Sequence, residues 1–202
     1  MNNFKNNFRI FILGFLSFTV SQVLLRLPLL KILNNLSSTI LFATIRPLLY
    51  GAILAFSAGL FEESGRFIIK KLALKPYDCE ISEPIIFGLG HSISEIVLIL
   101  SPFFTGSTSW NFLSPIFFVE RFLTTIVHIG LTIMVWNGFI KGERIKYLIY
   151  AIFAHFIIDF IIPIANLNGL NIITIESILA IFAILLLIYS IYSKKFYKRR
   201  EN

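Results

Sequence analysis

The sequence predicts an all-α protein: a polytopic bundle of transmembrane helices enclosing a polar site. Three observations carry that reading. The chain has 202 residues, of which 56% are hydrophobic and 15% aromatic, more apolar surface than a soluble domain needs. Its apolar runs are continuous and approach the roughly 20 residues that cross a hydrocarbon core; they lack the alternation of a barrel strand. The polar exceptions are concentrated. Phe61-Glu62-Glu63-Ser64-Gly65-Arg66 sets two carboxylates and a guanidinium inside an apolar run. A charge at bilayer depth costs at least about 2.5 kcal/mol, so three together need a reason.

Six spans follow in order. Residues 8–25 form the first; no small-residue cleavage site closes it before Arg26, so it reads as a helix rather than a signal peptide. The connection from Leu27 to Thr44 is apolar but broken by Pro28, Lys31, Asn34 and Asn35. It reads as a helix lying at the interface; a crossing there would make seven spans. Pro47 suits the first turn of the second span, 47–69, which Lys70, Lys71 and Lys75 close. The loop to Pro84 is polar, with Pro76, Asp78 and Glu80. The third span, 84–101, stops before Pro102. The Ser/Thr/Gly-rich loop 102–114 contains Trp110, a residue suited to the interface. The fourth span, 115–138, begins at Pro115 and ends at Gly138. The fifth, 146–165, follows Lys141, Arg144 and Lys146. After the Asn-rich loop 166–173, the sixth, 174–192, runs into the basic tail Lys194–Arg200. No repeat divides the chain, so 1–202 reads as one membrane domain with its chemistry in about 47–165.

The net charge of +7 is not a nucleic-acid footprint, because the basic residues gather at the ends of apolar runs. The clusters at 70–75, 141–146 and 194–200 fall on one side with Lys5 and Arg9. The other side receives only Arg26, Lys31 and Arg46. By the positive-inside rule both termini are cytosolic. The lone Cys79 has no disulfide partner and falls on the reducing side. Richness in Ile, Asn, Lys and Phe suits an AT-rich bacterial genome, and hence a bacterial plasma membrane.

Glu62 and Glu63 stand at i,i+4 and i,i+3 from Arg66, so one carboxylate can pair with it and the other has no local partner. A desolvated carboxylate is a stronger base, suited to general base or acid work. All three histidines lie in spans: His91 in the third with Glu95 one turn on, His128 in the fourth, and His155 in the fifth with Asp159 at i+4. At 1.5 Å per residue, Glu62 and His91 lie about 10 Å from the cytosolic ends of their spans, His155 about 12 Å and His128 about 13 Å. Four helices thus bring polar groups to one depth, in the cytosolic half. Gly59, Gly65, Gly88 and Gly90 would let backbones approach there.

Peptide hydrolysis within the membrane suits this set. A water between Glu62 and His91 could be deprotonated and attack a carbonyl, while His155, oriented by Asp159, could donate to the oxyanion. A metal competes: His91, His128 and His155 with Glu62 are a credible zinc set, with Glu95 and Asp159 orienting imidazoles. There is no His-Glu-x-x-His to decide between them. A structural ion pair would need only one carboxylate. Glu120-Arg121, towards the outer end of its span, reads as a helix-end or gate pair. Non-enzymatic alternatives are a proton or ion carrier and a bacteriocin-immunity or scaffolding protein.

Glu62-Glu63-x-x-Arg66, Phe87-x-x-x-His91 and His155-x-x-x-Asp159 resemble the motif series of the CAAX-processing and bacteriocin-processing (CPBP, or Abi) intramembrane protease superfamily. The fuller blocks resemble its YhfC-type branch: Ala58-Gly59-Leu60-Phe61-Glu62-Glu63, Gly88-Leu89-Gly90-His91-Ser92-Ile93-Ser94-Glu95, Glu120-Arg121 followed by His128, and Ala154-His155-Phe156-x-x-Asp159. The resemblance spans about 47–165. It implies a glutamate-dependent, multi-pass endopeptidase acting on a membrane-associated protein or peptide. In it Glu62 and His91 activate water, Glu63 pairs with Arg66, and His155 with Asp159 stabilises the oxyanion. Arg66 stands one residue nearer the Glu pair than in the CAAX-type pattern. His128 adds a third imidazole, for which this branch is also described as a metalloprotease.

Overall fold

The computed structural model describes residues 2–74, 79–104, 106 and 114–198. Part of the polar loop after Lys71, Trp110 with most of its loop, and Arg199 and Arg200 of the basic tail lie outside the described residues, while Pro102–Phe104, expected in that loop, continue the third helix. The rest is helical: α1 (Asn2–Phe18), a π-helical stretch (Thr19–Arg26), α2 (Leu27–Asn34), α3 (Ser37–Ile45), α4 (Pro47–Ala73), α5 (Ser82–Phe104), α6 (Pro115–Ile140), α7 (Arg144–Asn168) and α8 (Ile172–Ser193), closed by a 3₁₀ turn at Lys194–Phe196. No strand occurs among the described residues; one isolated bridge joins Glu80 to Lys198.

Local chemistry explains the boundaries. Pro47 and Pro115 stand in first turns, where a missing N–H costs nothing. Ser114 and Asn171 accept from the backbone N–H of Phe117 and Thr174, capping α6 and α8. Among the described residues five helical runs are long and apolar enough to cross a membrane, and α4 reaches that standard together with α3. The charges of α4 dilute its apolar run. The protein is an integral, multi-pass helical bundle.

The expected interfacial helix over 27–44 takes another form. Its first half continues the first span, so that 4–34 is one helical run. At 1.5 Å per residue that run is about 46 Å long, more than a bilayer core needs. Only 37–45 breaks away, bent 114° from α4. That half has no buried residue.

α6 is central and packs against α4, α5, α7 and α8, while α1 lies along α5 and α4 along α7. The Lys-rich ends meet: Arg9 donates to the Ala73 carbonyl at 2.8 Å, and the Lys198 N–H reaches the Cys79 carbonyl. Ile10, Phe87, Val135, Trp136 and Phe139, all fully buried, fill this end. Val127, Leu131, Ile158, Ala183 and Leu186 form a second apolar cluster.

Several close approaches depend on missing side chains, and at Gly14 a Cβ would collide with the Phe87 carbonyl. A Cβ on Gly90 would collide with the Phe11 carbonyl, and one on Gly59 would stand 2.8 Å from the Ile152 carbonyl oxygen. Gly90 thus sets the α1–α5 spacing and Gly59 the α4–α7 spacing, as small residues do between membrane helices. Gly90→Ala should therefore push α1 off α5 and destabilise the fold by about 1–3 kcal/mol, read as a lowered thermal midpoint in detergent.

Candidate functional site

α4 carries Glu62, Glu63 and Arg66 into the bundle centre, where all are buried. Helical spacing aims Glu63 and Arg66 together, and the Arg66 guanidinium donates to Glu63 Oε1. Its other arm lies 2.7 Å from His128 Nδ1 and 3.7 Å from Glu62 Oε2. A guanidinium can only donate, so His128 Nδ1 accepts. The proton then sits on Nε2, which donates to Glu95 Oε2 at 2.5 Å. Arg66 thereby sets the tautomer of a histidine on another helix.

Glu62 is the second hub. One oxygen accepts from the Gln22 amide. The other lies 2.9 Å from His91 Nε2 and 4.0 Å from His155 Nε2. His91 is fully buried, its Nδ1 has no partner among the described residues, and Phe18 packs edge-on against its ring. His155 Nδ1 donates to Glu63 Oε1 at 2.7 Å, while its Nε2 faces Asp159 Oδ2 at 3.5 Å.

The residues singled out in the sequence come together, with some partners exchanged. Glu95, one turn from His91 on α5, instead bonds His128 across to α6. His155 is held chiefly by Glu63; Asp159 is the longer contact. Glu120-Arg121 is tied into the site, since Arg121 bridges Glu120 at 2.5 Å and Glu95 at 3.0 Å.

Gln22 and Arg26 were not singled out. They lie on the π-helical stretch, a geometry frequent at functional sites. Arg26 donates to Gln22 Oε1 at 3.0 Å, to Ser57 Oγ at 2.9 Å and to the Leu54 carbonyl at 2.8 Å. This orients the Gln22 amide, which turns its N–H onto Glu62. The available signal was a Gln and an Arg at i,i+4 at the end of an apolar run.

Glu62, His91 and His128 each bring a ligand atom within 4.8 Å of the others. A carboxylate with two imidazoles is the donor set of a catalytic zinc with an open position. His155, expected among the ligands, stands outside this triple. The charge also fits a dication. Carboxylates of Glu62, Glu63, Glu95, Glu120 and Asp159 face the guanidiniums of Arg26, Arg66 and Arg121. With His91 and His128 neutral and His155 protonated, since both of its nitrogens face carboxylates, the network has one negative charge left over.

The cluster lies at the inner end of a cavity of about 580 Å³, whose wall includes Glu62, Glu95, His128, His155 and Asp159. Arg66→Met should cost about 3–5 kcal/mol, because it strands Glu63 as an unpaired buried charge. Thermal unfolding in detergent reads this, and Arg66→Lys should recover only part of it, since a lysine cannot span Glu63 and His128 with a planar fork.

Comparison with known proteins adds one finding. A family model described as YhfC intramembrane metalloprotease matches residues 2–101 and 106–185, and the chain belongs to that family. No curated protein and no solved structure matches it. With that family go a lipid bilayer and a peptide or protein substrate.

Proposed function

We propose that this YhfC-family chain is an intramembrane endopeptidase. It hydrolyses a peptide bond of a membrane-associated protein or peptide, with Glu62 as the base that takes a proton from the attacking water. The observation that carries this reading is the Glu62–His91 hydrogen bond at the inner end of a cavity, with His128 alongside. Glu62, His91 and His128 would hold the metal, which zinc suits, and the metal would supply Lewis-acid polarisation and a more acidic water. For His128 this means exchanging one present hydrogen bond for a ligand bond.

The chain's own groups divide the remaining work. Arg66 holds Glu63, which orients His155 through Nδ1. His155 Nε2, beside Glu62 and Asp159, is placed to donate to the oxygen that gains charge as the carbonyl is attacked. Glu95, itself held by Arg121, fixes His128 from behind. Gln22 keeps one Glu62 oxygen bonded, leaving the other to face His91. The chain works as one domain in a bacterial plasma membrane, with both termini cytosolic as its basic residues direct.

Glu62→Gln should lower cleavage of a membrane-anchored peptide library by about 10²–10⁴-fold, the range for loss of a general base, with cut products read by mass spectrometry. Equal rates in the variant and wild type would defeat the proposal. Purified wild type should carry one metal per chain by plasma mass spectrometry, and His128→Ala should lose it. Gln22→Leu should weaken zinc binding by about 10–100-fold, as loss of a group that orients a ligand does, measured by chelator competition. The Gln22 effect should vanish in a Glu62→Gln background.

A further inference from the structure

The geometry points to one route into the site: the scissile segment of the substrate arrives from the Lys-poor face of the membrane, opposite the Lys-rich ends of the bundle. This rests on the peptidase reading and on the charge-based orientation above. Glu62, His128 and His155 lie near the middle of their helices rather than in the cytosolic half, and from that level the cavity wall extends through the Lys-poor halves of α4 to α8. Beyond the site itself the wall reaches Gly51 on α4, Ile99 on α5, Glu120 on α6, Asn166 on α7 and Ile175 on α8. Ile99, Glu120, Asn166 and Ile175 adjoin the 102–114 and 166–173 connections, which contain no Lys or Arg, while Gly51 follows the connection that carries Lys31 and Arg46.

Side-chain exposure rises in the same direction, from 6% at Glu62 to 21% at Glu95 and 37% at Asp159. The opposite direction is closed. Beneath the cluster, Ile10, Phe87, Trp136 and Phe139 are fully buried and packed together, and Arg9 ties the end of α1 to the end of α4. Among the described residues, polypeptide and water meet a cavity on one side and a packed apolar core on the other.

The cavity also selects by charge. Its wall carries Glu62, Glu95, Glu120, Asp159 and Glu176 against only Arg26 and Arg121. Arg121 is paired with Glu95 and Glu120, and with five carboxylates against two guanidiniums the wall stays negative. A cleft walled mostly by one sign concentrates the opposite sign. The occupant is therefore an extended segment, neutral or basic beside the cut, presented at the non-cytosolic face. At about 580 Å³ the space falls within the range of small-ligand pockets and holds only a short stretch of chain.

The test is cysteine accessibility from each side of the membrane. Cys79 is buried, so the wild-type chain is the unlabelled control. Ala58→Cys, on the cavity wall, Asn166→Cys, at its rim, and Glu143→Cys, at the Lys-rich end, are each treated with membrane-impermeant methanethiosulfonates. Intact cells and inside-out vesicles are compared. Ala58→Cys and Asn166→Cys should react in intact cells, and Glu143→Cys only in inside-out vesicles. The ratio of cationic to anionic reagent rate should be about tenfold higher at Ala58→Cys than at Glu143→Cys.

Reaction of Ala58→Cys only in inside-out vesicles, or from neither side, overturns the route. An unchanged rate ratio overturns the charge selection. Should Ala58→Cys fail to fold, Ile175→Cys replaces it at a half-buried position of the cavity wall in the first turn of α8. Labelling is independent of turnover: the expected pattern in a protein that cleaves nothing would retain the route and remove the peptidase reading.

Discussion

The buried guanidinium of Arg66 is the contact on which the site depends. It has no exposed surface, and it reaches Glu63 on its own helix and His128 on α6. A guanidinium removed from water needs acceptors of fixed geometry; the two terminal nitrogens of Arg66 find them, while its Nε has none among the described residues. That need orders what lies around it. Glu63, once paired, presents its carboxylate to His155. His128, once it accepts, can only donate onward to Glu95. One cation thus fixes two imidazoles on two different helices.

The backbone is shaped to allow this. Gly59 and Gly90 bring α7 and α1 close to the helices that bear the acid and the histidine. The π-helical stretch turns Gln22 and Arg26 towards α4. The chain then has a wet half, with the cavity and most of the carboxylates, and a dry half packed with Phe and Trp. Bonds running from Arg26 through Gln22, Glu62, Arg66 and His128 to Arg121 make a single coupled unit. Changes within such a unit do not add. Its net negative charge and its donor set both suit a divalent ion, which agrees with the family to which the chain belongs.

Much of the site was legible in the sequence. Glu62, Glu63, Arg66, His91, His128 and His155 stand out because ionisable groups inside apolar runs are costly, and all of them meet in the structure. The partners were less legible. Spacing along α5 placed Glu95 beneath His91, yet it crosses to His128. Spacing along α7 joined His155 to Asp159, yet Glu63 is closer. Gln22 gives no such signal, since a neutral amide near a span end carries little cost. The i,i+4 rule describes neighbours on one helix surface, whereas these bonds are chosen between helices.

The sequence by itself determined the class of the protein, the succession of its spans and the helix that carries each reactive group, because hydropathy, proline and capping signals act over a few residues. Charge asymmetry between its loops set the expected orientation for the same local reason. Tertiary structure decided the rest: which acid holds which histidine, that 27–34 continues the first helix while 37–45 turns aside, and that the cavity lies in the Lys-poor half. Those outcomes depend on the rotation and tilt of each helix against its neighbours, which packing at Gly59, Gly90 and the π-helical stretch sets and no single segment encodes.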